Sequence, residues 1–148
     1  MRETITLTGV VASGLGEGTR FMALDWVLAQ CRRSLGFTPH AGTFNLRICG
    51  PRWARVRLRM QTAAGIGITP AAGFCAARCF ALRLGGRIDA FGIVPAVADY
   101  PHDKLEIIAP VALREALGVA DGDRIDLQME LDTTASTSPS RAHPWRCV

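Results

Sequence analysis

The chain has 148 residues, 49% of them hydrophobic and 20% charged, which suits one compact domain and argues against a second. A chain of this length buries roughly 68–70% of its unfolded surface without needing disulfides or a structural metal, and the apolar content excludes wholesale disorder, while no apolar run reaches the roughly 18 residues of a membrane span. Seventeen basic against thirteen acidic residues give a net charge of +4, which favours anionic partners, nucleotide phosphates or nucleic acid, without choosing between them.

Residues 4–12, TITLTGVVA, are β-branched and partly alternating and predict a first strand. Glu3 and Thr4 stand where a signal peptide would carry its apolar stretch, so a soluble cytoplasmic protein is expected. The glycine cluster at 13–18 turns the chain into a predicted helix over 21–35, in which Met22, Trp26, Leu28 and Ala29 recur at helical spacing. Arg32 and Arg33 near its end suit the helix dipole, and Gly36 stops it. A loop at 38–42 then leads into a short strand at about 43–48.

Residues 53–60, WARVRLRM, alternate apolar residues with arginine and predict a strand with one solvated face, Arg55, Arg57 and Arg59, which is the simple reading beside a nucleic-acid surface. Residues 61–72 read as a loop. Strands at 73–84 and 87–95 flank Gly85-Gly86, a hairpin signal. After a turn around 99–103, KLEIIAP predicts a strand, and VALREALG a two-turn helix with Pro110 before it and a glycine past its end. Asp121, Gly122 and Asp123 turn the chain into a last strand, RIDLQMEL. From Thr133 the composition shifts to Thr, Ser, Pro and Ala without periodicity. The expected organisation is therefore a barrel domain over 1–131 and a disordered tail over 132–148. Short strands interrupted by only two helices predict a mainly β (α+β) protein, a small closed barrel with one helix after the first strand and a short one before the last.

Five cysteines, Cys31, Cys49, Cys75, Cys79 and Cys147, form no CxxC pair and have no histidine near Cys75 or Cys79, so free thiols are expected rather than a zinc site. Three segments can carry chemistry. The run from Ser13 to Arg20 is rich enough in glycine to let backbone N–H groups approach a phosphate, or is simply a turn. Thr43 and Asn45, two residues apart on an extended segment, present a hydroxyl and an amide oxygen to one face, enough for magnesium when phosphates supply the charge, or for bonding a turn. Glu106 is a lone carboxylate among apolar residues, either on a solvated face or aimed into a site.

Taken together and in order, GVVASGLGEGTRF, LGFTPHAGTFNLRI, LEIIAPVALREALGV and DGDRIDLQM resemble the archaeal-type CTP-dependent riboflavin kinases over about residues 5–130, with a divergent middle from about 50 to 87. The resemblance implies a cradle-loop β-barrel that transfers the γ-phosphate of CTP to the 5′-hydroxyl of riboflavin with Mg²⁺, giving FMN and CDP. It further implies nucleotide binding by Leu15, Gly16, Glu17, Gly18, Thr19 and Arg20 and by Val111, Ala112, Leu113 and Arg114. Thr43 and Asn45 would be the magnesium ligands and Glu106 the flavin-side carboxylate and catalytic group. Ala98 stands at a flavin-side position where the family carries threonine. Other readings are a kinase of the same mechanism with a different hydroxyl acceptor, and a non-catalytic flavin- or nucleotide-binding regulatory protein. A monomer acting without nucleic acid or membrane is expected.

Overall fold

The computed structural model describes residues 2–13, 22–69, 71, 76–96 and 100–132. Among the described residues there are seven strands and three helices, the strands being β1 (Arg2–Ala12), β2 (Phe44–Arg47), β3 (Ile66–Ile68), β4 (Ala77–Leu84), β5 (Ile88–Pro95), β6 (Lys104–Ile108) and β7 (Arg124–Asp132). Three helices join them: α1 (Asp25–Ser34), α2 (Pro51–Thr62) and α3 (Leu113–Leu117).

The strands run in the order β3-β4-β5-β6-β2-β1-β7, and an additional pairing between β4 and β7 closes the ring, so six strands form a barrel and β3 lies outside it. One edge of β4 is shared: β3 pairs with its first residues, Ala77 to Cys79, and β7 with its last, Leu82 to Leu84. Every pairing is antiparallel. Closure leaves few free backbone groups for a second chain to join.

Alternation decides which side chains fill the barrel. Leu7 and Val11 of β1, Phe44 and Leu46 of β2, Leu82 and Leu84 of β4, Leu105 and Ile107 of β6 and Leu127 and Met129 of β7 belong to one buried cluster. The interior is tight enough that a Cβ at Gly9 would stand 2.9 Å from Ile48 Cγ1, so β1 needs glycine where it passes this side chain. The predicted hairpin is present: the Arg87 N–H donates to the Leu84 carbonyl across Gly85 and Gly86, both at positive φ, as the tight turn between twisted strands requires. Gly118 ends α3 as expected.

A second buried cluster lies on the outer face. Met22, Val27 and Cys31 pack with Ile68 of β3, Ala77 and Cys79 of β4, Ile93 of β5 and Ile108 of β6. The helix was expected over 21–35 with Leu28 and Ala29 in its pattern; it spans Asp25–Ser34 and buries Val27 and Cys31 instead, with Ala29 exposed. Arg32 and Arg33 do fall in its last turn.

The largest difference from expectation is α2. Residues 53–60 form no strand; they lie in a helix that carries Trp53, Val56 and Met60 into the barrel's buried cluster. Those three stand at i, i+3 and i+7, and Leu58, which completed the two-residue alternation, is 63% exposed. Arginine, leucine, methionine and alanine are strong helix formers and Val56 is the only β-branched residue among them, so propensity opposed the alternation. Pro51 at the first turn was the signal available. The arginines therefore occupy a helix surface: Arg52 donates to the Thr6 carbonyl at 3.1 Å and Arg59 pairs with Glu3 at 2.7 Å. The expected loop over 61–72 is likewise corrected, since it includes the end of α2 and strand β3. The half-buried Arg78 guanidinium donates to the Gln61 and Ala63 carbonyls at the end of α2, where a cation meets the negative end of the helix dipole. Desolvation pushes its pKa down to about 10.

Among the described residues Cys31, Cys49 and Cys79 are free thiols, and burial raises the pKa of Cys31 and of Cys79. No helix among those residues is long and apolar enough to cross a membrane. Of the expected tail over 132–148, Asp132 ends β7 instead, and residues 133–148 lie outside the described residues.

Candidate active site

Strand register lines up one row of residues on the outer face of the barrel. Ala12 of β1 stands opposite Asn45 of β2, Asn45 opposite Glu106 of β6, Glu106 opposite Ile93 of β5, Ile93 opposite Cys79 of β4, and Cys79 opposite Ile66 of β3. The apolar half of this row, Ile93 and Cys79, belongs to the cluster that α1 covers. The polar half, Asn45 and Glu106, is only partly buried. The site thus lies where the helix-covered outer face gives way to polar side chains.

Thr43 precedes β2, and its Oγ1 lies 2.9 Å from Glu106 Oε1 and 3.5 Å from Asn45 Oδ1. One hydroxyl proton cannot serve both acceptors, and the shorter, charged partner receives it. Both Thr43 lone pairs then remain available beside the Asn45 amide oxygen. Glu106 is no solvated surface residue: its side chain is 14% exposed. Its second oxygen, Oε2, accepts a hydrogen bond from the Tyr100 hydroxyl at 2.5 Å, with Lys104 Nζ 3.7 Å away. Lys104 also lies 5.5 Å from the centre of the Tyr100 ring. Burial, followed by the charge and hydrogen bond of Glu106, raises the Tyr100 pKa, against a smaller opposing pull from Arg57. Tyr100 therefore remains a proton donor at neutral pH.

A neighbouring helix anchors the segment that carries Tyr100. Trp53 Nε1 of α2 donates to the His102 carbonyl at 2.7 Å, and the Ile48 N–H donates to the Asp103 carbonyl at 2.9 Å. Tyr100 and Lys104 were not picked out from sequence. The available signal was their spacing: Lys104 and Glu106 fall on one face of β6, and Tyr100 lies just ahead of it.

The second candidate region lies where β1 ends. Ser13 Oγ donates to Asp121 Oδ2 at 2.6 Å, and the Arg114 guanidinium donates to Asp121 Oδ1 and, at 3.4 Å, to the Ala12 carbonyl. The first residue of the glycine segment and the last of the 111–114 stretch are thereby joined through one carboxylate. Of that stretch, Val111 is exposed, Ala112 precedes α3 and Leu113 is buried in the barrel cluster. The Leu113 side chain is thus taken up by the core and is not available to a ligand. The Ser13 and Arg114 bonds hold the Asp121 carboxyl below the ordinary carboxylate range. Leu15, Gly16, Glu17, Gly18, Thr19, Arg20 and Ala98 lie outside the described residues.

The oxygens of Thr43, Asn45 and Glu106 suit a hard cation such as Mg²⁺. Among the described residues no group of three His, Cys, Asp or Glu side chains could hold a metal by itself. The neutral Thr43 and Asn45 donors therefore suit an ion that arrives with phosphate oxygens better than one caged by carboxylates.

Comparison with known proteins gives a consistent result. The family model CTP-dep_RFKase, described as domain of unknown function DUF120, matches residues 11–129. The chain is 40% identical over 134 residues to a protein named riboflavin kinase from Methanoregula boonei, covering 86% of this chain and 58% of that protein. It is 38% identical over 133 residues to the riboflavin kinase of Archaeoglobus fulgidus, covering 86% and 56%, and 35% identical over 133 residues to that of Pyrobaculum islandicum, covering 87% and 62%. The chain thus spans less than two thirds of the length of these relatives.

Proposed function

The chain belongs to the CTP-dep_RFKase family, and from that premise we propose that it is a Mg²⁺-dependent riboflavin kinase that uses CTP as phosphoryl donor. The observation that carries the reading is the oxygen cluster of Thr43, Asn45 and Glu106 on the outer face of β2 and β6. It combines, within hydrogen-bond range, two neutral donors for a phosphate-bound cation and one carboxylate for an acceptor hydroxyl.

Phosphoryl transfer depends mainly on positioning and on neutralising charge. Thr43 and Asn45 would hold Mg²⁺, whose chemistry is to neutralise the phosphate oxygens during transfer. Glu106 accepts a hydrogen bond from the riboflavin 5′-hydroxyl and orients its oxygen in line with the γ-phosphorus. As the new O–P bond forms, the bond from the γ-phosphorus to the bridging oxygen breaks. CDP leaves with that electron pair, and the hydroxyl proton passes to Glu106 and then to water. The glycine segment and residues 111–114 would hold the nucleotide, joined at Ser13, Asp121 and Arg114.

The test is incubation with riboflavin, Mg²⁺ and each nucleoside triphosphate in turn, with chromatographic resolution of FMN. FMN formed with CTP in preference to ATP is the expected result. CTP consumption only with another hydroxyl compound would move the assignment to a different acceptor. Saturable binding without turnover would move it to a non-catalytic flavin- or nucleotide-binding protein.

A further inference from the structure

We propose that Tyr100 is a positioning residue for the acceptor: with Thr43 it fixes both oxygens of Glu106, so that the carboxylate meets the incoming hydroxyl in a single orientation. A carboxylate on a strand can rotate about its terminal bond, and that torsion is broad. In this site each oxygen has its own donor from a different element: Thr43 ahead of β2 at Oε1, and Tyr100 ahead of β6 at Oε2. Two hydroxyl donors on opposite oxygens leave the terminal torsion no free alternative. The 2.5 Å contact lies in the range for a hydroxyl donating to an ionised carboxylate.

The donors themselves are held. Tyr100 is followed by Pro101 and then by His102 and Asp103, whose carbonyls are bonded to Trp53 and to the Ile48 amide. Lys104 at 3.7 Å balances the charge without occupying either short contact. Each carboxylate oxygen keeps a lone pair for the substrate after accepting one bond.

The kinetic readout rests on the riboflavin kinase reading; the structural readout does not. The experiment is a double-mutant cycle of Tyr100→Phe and Glu106→Ala, in which Phe keeps the ring and removes only the hydroxyl. Tyr100→Phe is expected to lower kcat/KM for riboflavin by about 10- to 100-fold, the range for a lost hydrogen bond to a charged group, with the KM for CTP unchanged. In the Glu106→Ala background the same change should cost no more than about twofold, because its partner is already gone. Equal losses in both backgrounds, or Tyr100→Phe kinetics matching the wild type, would overturn the inference. If the wild type forms no FMN, the riboflavin reading is what fails. The cycle is then read in thermal unfolding, where a smaller shift for Tyr100→Phe in the Glu106→Ala background supports the inference and equal shifts refute it.

Discussion

The two polar regions of this barrel are built differently. Around Glu106 the groups are partly buried, and the segment that carries Tyr100 is held by the Trp53 indole and the Ile48 amide on the carbonyls that follow it. Around Asp121 the groups are exposed: the Arg114 and Asp121 side chains are 42% and 55% accessible. Exposed ion pairs contribute little to stability and are screened by salt, whereas partly desolvated hydrogen bonds hold their geometry. On the proposed assignment, the Glu106 region would be preorganised for the acceptor, and the exposed Asp121 region would be free to exchange its internal pairing for a nucleotide's charge.

The sharpest way to break this comparison is at Thr43 and Asn45. The double substitution to alanine should reduce turnover by at least about 100-fold while leaving the melting temperature within a few degrees, because charge neutralisation is lost but the apolar core is untouched. Steady-state assay at ordinary magnesium, paired with thermal unfolding, checks both halves. Next in size is Trp53→Phe, which removes the bond to the His102 carbonyl and part of a buried side chain. It should cost about 1–3 kcal/mol of stability by denaturant unfolding and raise the riboflavin KM more than the CTP KM, since it loosens the segment carrying Tyr100.

On the other side, Arg114→Ala should raise the KM for CTP by about tenfold at low salt and less at high salt, with the riboflavin KM unchanged. Titration of both substrates at two ionic strengths reads this directly. The smallest effect belongs to Asp121→Asn. The folded Asp121 carboxyl has a lowered pKa, so its contribution is present above the ordinary carboxylate value of 3.8 and is lost as pH falls through the folded value. The difference between wild-type and variant melting temperatures should therefore shrink on acidification below about pH 4, and a difference that grows there would contradict the assignment.

How much of this was legible in the sequence follows from which forces set each element. The hairpin at Gly85-Gly86, the strand from Lys104 and the short helix ending at Gly118 are written in local turn and cap chemistry and lie where expected. Residues 53–60 read as a strand in sequence because Leu58 imitates a strand's alternation, while the face that matters, Trp53, Val56 and Met60, is selected by a barrel that only distant strands create. The pairing of Thr43 and Asn45 on one face was readable from their spacing. That Glu106 stands opposite Asn45 is a matter of register between strands about sixty residues apart, which no local pattern encodes. Tyr100 carries no local signal for the same reason, since its hydroxyl meets Glu106 only in the folded barrel.

In the proposed reaction the Glu106 carboxylate receives the acceptor hydroxyl at the moment of phosphoryl transfer. The most direct measurement is FMN formation by Glu106→Gln beside the wild type, with CTP and Mg²⁺ saturating and riboflavin varied. The expected result is a fall in kcat/KM for riboflavin of at least about 100-fold, with CTP binding unchanged. A Glu106→Gln protein that forms FMN at the wild-type rate would contradict it.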